Sequence, residues 1–302
     1  MKETKRVIAL GFFDGVHLGH GALLRRVREA AQAGGYVPAA VTFERHPKDV
    51  IPGAEHVPLL NTPEDRAGLM QRLYGIEDVI VLPFDAHMRD MYWRDYVTEL
   101  LVGRYGAVHL VAGHDNRFGR RGEGNSDRLR ALCGELGLGC DIIGEVELDG
   151  VVVSSTHIRA LIAGGDMEGA VRFLGHGHTL TGTVVRGRGL GHTIGIPTAN
   201  LTVPDGVLVP AFGVYASKVW VNGRDYLAVT NIGVRPTVGD GRGVTVEPWI
   251  LDFDGDLYGR TIRLELFRQL RGERQFASLD ALRAAILENA AQTRDYFRAR
   301  QG

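Results

Sequence analysis

The sequence predicts an α/β protein in two parts: an N-terminal domain with a parallel sheet, then an antiparallel β domain with a terminal helix. Three observations carry this expectation. The chain has 302 residues, more than one typical domain of about 100–200. Over residues 1–175, short apolar runs alternate with helical apolar stripes, the order of a parallel sheet covered by helices. From about residue 181, strand-like segments follow one another closely with turn signals between them, as in an antiparallel barrel or sandwich.

Taken in order, VIAL (7–10) reads as a short buried strand. Leu23, Leu24, Val27, Ala30 and Ala31 then form one apolar stripe of a helix, which Gly34-Gly35 ends. Strands are expected at Val37–Phe43, Val79–Leu82 and Val108–Ala112, with helices at about 63–74, about 90–103 and from Ser126, placed as an N-cap. Asp149-Gly150 marks a hairpin within Glu145–Val153, and two short helices follow at about 155–163 and 166–174. The boundary is expected near Gly175–Leu180, giving domains 1–175 and 181–302. Beyond it come strands at 181–186, 213–221, 225–232, 244–251 and 261–267, with Asn222-Gly223 as a hairpin turn. After Ser278, the residues Leu279, Leu282, Ile286 and Leu287 predict the apolar face of a last helix.

Composition bounds the function. At 44% hydrophobic and 24% charged, the chain is an ordinary globular protein. A net charge of −1 gives no global attraction to nucleic acid or to an anionic membrane. No apolar run approaches the roughly 18 residues of a membrane helix, and the N-terminus lacks a signal-peptide core. Two cysteines, Cys133 and Cys140, are too few for a disulfide framework, which fits a reducing cytoplasm. Small molecules are the expected partners, and an oligomer stays open.

The first constellation is GFFDGVHLGH (11–20), between the first strand and the first helix. The carboxyl end of a parallel strand is where open α/β sheets bind ligands. Gly11 and Gly15 let backbone approach a phosphate chain, and the helix start offers N–H groups to anions. His17 and His20, three apart, face one spot. As bare structure this is a turn with two surface histidines, and the placement after a buried strand argues against that. SSTHIR (154–159) sets Ser155 and Thr156 to cap a helix, with Arg159 one turn on. TFERHP (42–47), with His46, and GHDNRFGRRGEGN (113–125), ending at Asn125, follow the second and fourth strands and reach the same crevice.

The second constellation is GRGLGHTIGIPTANL (187–201). Gly187, Gly189, Gly191 and Gly195 make a strap that can set N–H groups around phosphates. Pro197 then leads to Thr198 and Asn200, oxygen donors two apart that suit Mg²⁺. No Gly-Lys-Ser/Thr of a Walker loop is present, so the strap alone is a weak signal.

With HLGH and SSTHIR the first half resembles the HxGH nucleotidyltransferase superfamily. GVYA (213–216), NIGVRPTV (231–238), TVE (245–247), LDFDGDLYG (251–259) and LRGERQF (270–276) resemble, in order, bacterial riboflavin kinase domains. Together they resemble the bifunctional riboflavin kinase/FMN adenylyltransferase family, the FAD synthetases, over nearly the whole chain. The resemblance implies a Rossmann-like nucleotidyltransferase domain and an antiparallel kinase barrel. It implies that riboflavin is phosphorylated to FMN with ATP and Mg²⁺, and that FMN is adenylylated to FAD with loss of pyrophosphate. Glu247 would be the kinase's general base and Thr198 and Asn200 would hold Mg²⁺. His17 and His20 would stabilise the adenylyl-transfer charge, with Gly11, Phe13, Asp14, Gly15, His46, Asn125, Ser155, Thr156 and Arg159 around the substrates. Arg271 would close the flavin site. No covalent intermediate is implied.

The chain departs from that family at several places. Phe12 stands where Asn or Val is usual, Arg45 where Pro is, Asn116 where an aromatic is, Pro248-Trp249 where Val-His is, and Gly177 where Pro is. Two competing readings are an enzyme with one degenerate site and a flavin-binding protein without turnover. The presence of His17, His20, Thr198, Asn200 and Glu247 disfavours both, since binding alone has no need of a general base. Cys133, Cys140, Trp93 and Trp220 read as packing residues. His176, His178 and His192 do not have the setting of a metal site, and Asp252, Asp254 and Asp256 read as a tight turn rather than calcium ligands.

Overall fold

The computed structural model describes residues 4–50, 53, 55–187, 195–235 and 243–300. The chain divides into two compact units, Met1–Ser155 and Thr156–Gly302.

In the first unit, β1 (Arg6–Leu10), β2 (Val37–Phe43), β3 (Asp78–Leu82), β4 (Ala107–Gly113) and β5 (Gly139–Ile143) form a parallel sheet in the order β3-β2-β1-β4-β5. The period-two alternation of strand side chains sorts β1 onto two cores. Val7 and Ala9 face Leu24, Val27, Leu69 and Met70 of α1 (Leu18–Gly34) and α2 (Pro63–Tyr74). Ile8 and Leu10 face Val97, Leu101, Leu129 and Leu132 on the opposite side. Those residues belong to α5 (Ser126–Leu136) and to a helix that begins as α4 (Trp93–Asp95) after the short α3 (Ala86–Asp90). That helix winds as a π-helix over Tyr96–Arg104, where one continuous α-helix was expected. With helices on both faces, the order reverses between β1 and β4, the topological switch point of such a sheet. A hairpin of β6 (Glu147–Leu148) and β7 (Val151–Val152) turns at Asp149-Gly150, as its sequence signalled.

Helix α6 (Ser155–Ala163) starts on the last residue of the first unit, and in the second unit its remainder and α7 (Met167–Leu174) precede a closed six-stranded barrel. The compact units part at Ser155/Thr156, whereas the sequence pattern placed a boundary at Gly175–Leu180. Helix α7 packs on the barrel strands β8 (His178–Val185) and β13 (Thr261–Gly272). The barrel runs β10 (Gly213–Val221), β11 (Arg224–Arg235), β12 (Gly243–Ile250), β9 (Asn200–Thr202), β8 and β13, with every neighbouring pair antiparallel. The terminal helix α8 (Leu279–Ala299) starts on Ser278, whose side chain caps the Ala281 N–H. Its buried face is Ala285, Asn289, Ala290, Thr293 and Phe297. This corrects the expected stripe: Leu279 is 62% exposed and Leu287 43%. The helix packs on a sheet patch containing Val214, Val229 and Trp249, and small residues allow the close approach.

Candidate functional site

In the first unit, the segment from β1 to α1 is a strained loop. Phe13, Gly15 and Val16 have φ of 57°, 83° and 42°. Positive φ in a β-branched residue such as Val16 costs about 1–3 kcal/mol and persists only where its surroundings enforce it. Here the enforcement is burial together with fixed polar contacts. Phe13 and Val16 are fully buried. The Asp14 carboxylate, 1% exposed, accepts the Leu60 N–H at 2.9 Å and the Asn61 N–H at 3.3 Å. The Ser155 hydroxyl donates to the Asp14 carbonyl at 2.8 Å. Ser155 is therefore already inside α6 and ties HLGH to SSTHIR, rather than capping the helix as expected. Thr156 is exposed and Arg159 half-buried on α6, within the second unit.

His17 is the N-cap of α1, and its Nδ1 accepts the His20 N–H at 3.3 Å. That bond leaves the neutral ring's proton on Nε2. The two imidazoles stack, with centroids 3.6 Å apart and planes 13° from parallel. Gly19 permits this: a Cβ there would meet the His17 ring at 3.2 Å and the Val153 carbonyl at 3.5 Å. Burial first, then His17, then the Arg66 charge push the His20 pKa well below its usual value, so His20 is neutral at pH 7. Its Nδ1 has no hydrogen-bond partner among the described residues.

The other expected residues take varied places. Gly11 lies against the Phe13 ring, where a Cβ would come to 3.1 Å. Phe13 is a core residue, edge-on to His20 at 5.1 Å, and acts on the site through the loop's shape. The His46 ring stands edge-on to Phe12 at 4.9 Å. Asn125 caps α5 by accepting the Arg128 N–H at 2.9 Å.

Arg66 was not singled out by sequence. It follows Thr62-Pro63 at the start of α2 and reads there as a surface charge, yet its side chain is fully buried. Nη1 donates to the Phe12 carbonyl at 2.7 Å and to the Thr42 hydroxyl at 3.0 Å. The guanidinium sits 4.2 Å from the Phe12 ring centre. Burial lowers its pKa to about 10, against the attraction of Asp14 and Glu64, so it stays charged.

In the barrel, register brings the second constellation together. Val246 pairs with Leu201, and the Ala199 N–H donates to the Pro248 carbonyl at 2.9 Å. These contacts flank Glu247 and Asn200 and set them opposite each other across β12 and β9. On the other side Glu247 pairs with Asn231 of β11. Val246, Pro248, Leu201 and Ile232 are buried, so Asn200, Glu247 and Asn231 share the opposite face. A Cβ at Gly187 would meet the Asn200 amide, so a larger residue at the start of the strap would push that amide from its place. Gly195 has φ of 71°, while Gly189 and Gly191 lie outside the described residues. Pro197 and Thr198 line a cavity of about 330 Å³ with Pro248, Asp254, Asp256 and Tyr258. Asp256 accepts the Tyr258 N–H at 2.9 Å, the tight turn that was expected. Arg271 donates to Asn289 of α8 at 3.1 Å and lies 5.3 Å from the Phe276 ring centre.

Comparison with known proteins follows the same division. A family model described as FAD synthetase matches residues 1–157, and one described as riboflavin kinase matches residues 174–297. The bifunctional riboflavin kinase/FMN adenylyltransferase of Listeria monocytogenes is 34% identical over 297 residues, covering 98% of this chain and 93% of its own. That of Pseudomonas fluorescens is 37% identical over 297 residues, covering 95% and 92%. A solved structure from Streptococcus pneumoniae, described as a macrolide-efflux protein, matches with a TM-score of 0.84 at 29% identity, covering 97% of this chain and 95% of that one. Among the described residues here, no helix is long and apolar enough to cross a membrane.

Proposed function

This chain belongs to the bifunctional riboflavin kinase/FMN adenylyltransferase family, and from that premise we propose how its residues divide the work. Residues 181–302 carry the kinase and residues 1–175 the adenylyltransferase, each with its own ATP, in the cytoplasm and without nucleic-acid partners.

In the barrel, Glu247 takes the proton of riboflavin's terminal ribityl hydroxyl as that oxygen attacks the γ-phosphorus of ATP. The alignment of Asn200, Glu247 and Asn231 on one face supports this reading most directly. The bond from the γ-phosphorus to the bridging oxygen breaks, and FMN and ADP form. Thr198 and Asn200 offer neutral oxygens, and among the described residues no group of three His, Cys, Asp or Glu gathers to hold a metal. Such donors fit Mg²⁺ that arrives on nucleotide phosphates and keeps their oxygens and water as its other ligands. When bound, the ion neutralises phosphate charge. The protein's part is mostly positioning, as phosphoryl transfer requires. Arg271, anchored to α8, borders the flavin side.

In the first unit, a phosphate oxygen of FMN attacks the α-phosphorus of ATP, pyrophosphate leaves and FAD forms. His17 and His20 act as hydrogen-bonding imidazoles, His20 held neutral, beside the N–H groups at the start of α1. The family resemblance assigns Ser155, Thr156 and Arg159 to the triphosphate and His46 and Asn125 to the substrates.

The test is to incubate the protein with riboflavin, ATP and Mg²⁺ and to separate the flavins. Both FMN and FAD are expected. FMN without FAD rejects the adenylyltransferase half, and FAD from supplied FMN but none from riboflavin rejects the kinase half.

A further inference from the structure

Arg66 presents a problem that its fold alone does not solve. A guanidinium out of water is costly unless its N–H groups and its charge are matched. Nη1 is matched by the Phe12 carbonyl and the Thr42 hydroxyl. Nε and Nη2 meet no acceptor among the described residues. Asp14 attracts the charge, as Glu64 does, but its carboxylate accepts the Leu60 and Asn61 N–H groups. Nε and Nη2 form one edge of the planar fork, two parallel donors that suit two oxygens of one anion. The Arg66 charge acts on His20, whose Nδ1 is equally unmatched among the described residues. Two helices thus bring an unsatisfied donor pair and an unsatisfied imidazole to the loop between β1 and α1.

We propose that the Nε–Nη2 edge of Arg66 binds phosphate oxygens of a substrate in the adenylyl-transfer site, alongside His20. The inference rests on adenylyl transfer taking place at the HLGH loop. The phosphate is either the monoester of FMN or part of the ATP triphosphate. The half-buried Phe12 ring lies over the guanidinium face and leaves the recognition of an anion to the in-plane N–H groups. A lysine could keep the charge at this position but not the fork.

The experiment uses the full-length enzyme with Arg66→Lys, measuring KM for FMN and for ATP in FAD formation. Riboflavin phosphorylation in the same samples controls for protein quality. A rise of about tenfold or more in one KM, with kinase rates unchanged, supports the proposal. A rise for FMN identifies the monoester, and a rise for ATP identifies the triphosphate. Both KM values within about twofold of the parent overturn it, even if kcat falls. If the unaltered enzyme forms no FAD, the premise has failed rather than the role of Arg66. Arg66→Gln is the second variant. If neither variant folds, a crystal of the unaltered enzyme with FMN and a non-hydrolysable ATP analogue decides. Nε or Nη2 within about 3.2 Å of a phosphate oxygen supports the role, and no such contact overturns it.

Discussion

The two units present phosphate chemistry in opposite ways. In the first, the reactive groups sit low, at the end of a buried strand, on a loop with three positive φ angles among four residues. The His20 imidazole is desolvated, and the carboxylate of Asp14 is bound to backbone N–H groups. In the barrel, the corresponding groups stand on a regular face of three paired strands, half-buried or exposed. The difference follows the chemistry each site supports. Adenylyl transfer joins two anions, so hydrogen-bond donors and a buried cation fixed around a rigid loop suit it. Phosphorylation of a hydroxyl calls for a base within reach of that hydroxyl, and a half-buried position on a strand face suits such a base.

The comparison breaks most easily at Glu247. Glu247→Gln should lower FMN formation by about 10²–10⁴-fold, the usual range for a general base, and leave FMN-to-FAD conversion intact. Separation of flavins after each half-reaction checks this. Gly187→Ala drives a methyl into the Asn200 amide. It should cost the kinase about 10²-fold through misplacement and spare adenylyl transfer.

Titration sharpens the contrast further. His20 is held neutral with its pKa well below the unfolded value, so FAD formation from FMN should not lose rate as pH falls to about 6.5. A His20 imidazole signal that titrates with a midpoint near 6.5 in NMR of the unaltered enzyme would contradict its desolvation. In the barrel, His178 is buried, and desolvation takes its pKa to about 4 despite its contact with the Leu208 carbonyl. Between pH 6.5 and 4 the unfolded chain binds the proton and the folded one does not, so stability rises with pH there. The second unit should lose about 3 kcal/mol from pH 6.5 to 4, and His178→Phe should flatten that slope in denaturant titrations.

Much of this was legible in the sequence because burial writes itself into pattern. The apolar runs of β1, β2 and β4 and the turn at Asn222-Gly223 read directly. Strand β5, GCDII, is a half-buried edge with no alternation to detect, and β9 is only three residues long. Both escaped, and β9 is the strand that places Asn200 beside Glu247. The face of α8 was misread because its contacts use Ala285, Ala290 and Thr293, whose small size decides their fit more than their hydropathy. HLGH and Glu247 stood out through spacing and motif. Arg66 did not, because its burial comes from Phe12 and Thr42, residues of other elements that only the fold brings near.

The independence of the two sites is tested most directly by mixing Glu247→Gln enzyme with His20→Ala enzyme in riboflavin, ATP and Mg²⁺. The account predicts that neither variant alone forms FAD from riboflavin and that the mixture does, by release and recapture of FMN. A mixture that accumulates no FAD, or a Glu247→Gln enzyme equally impaired on supplied FMN, would contradict it.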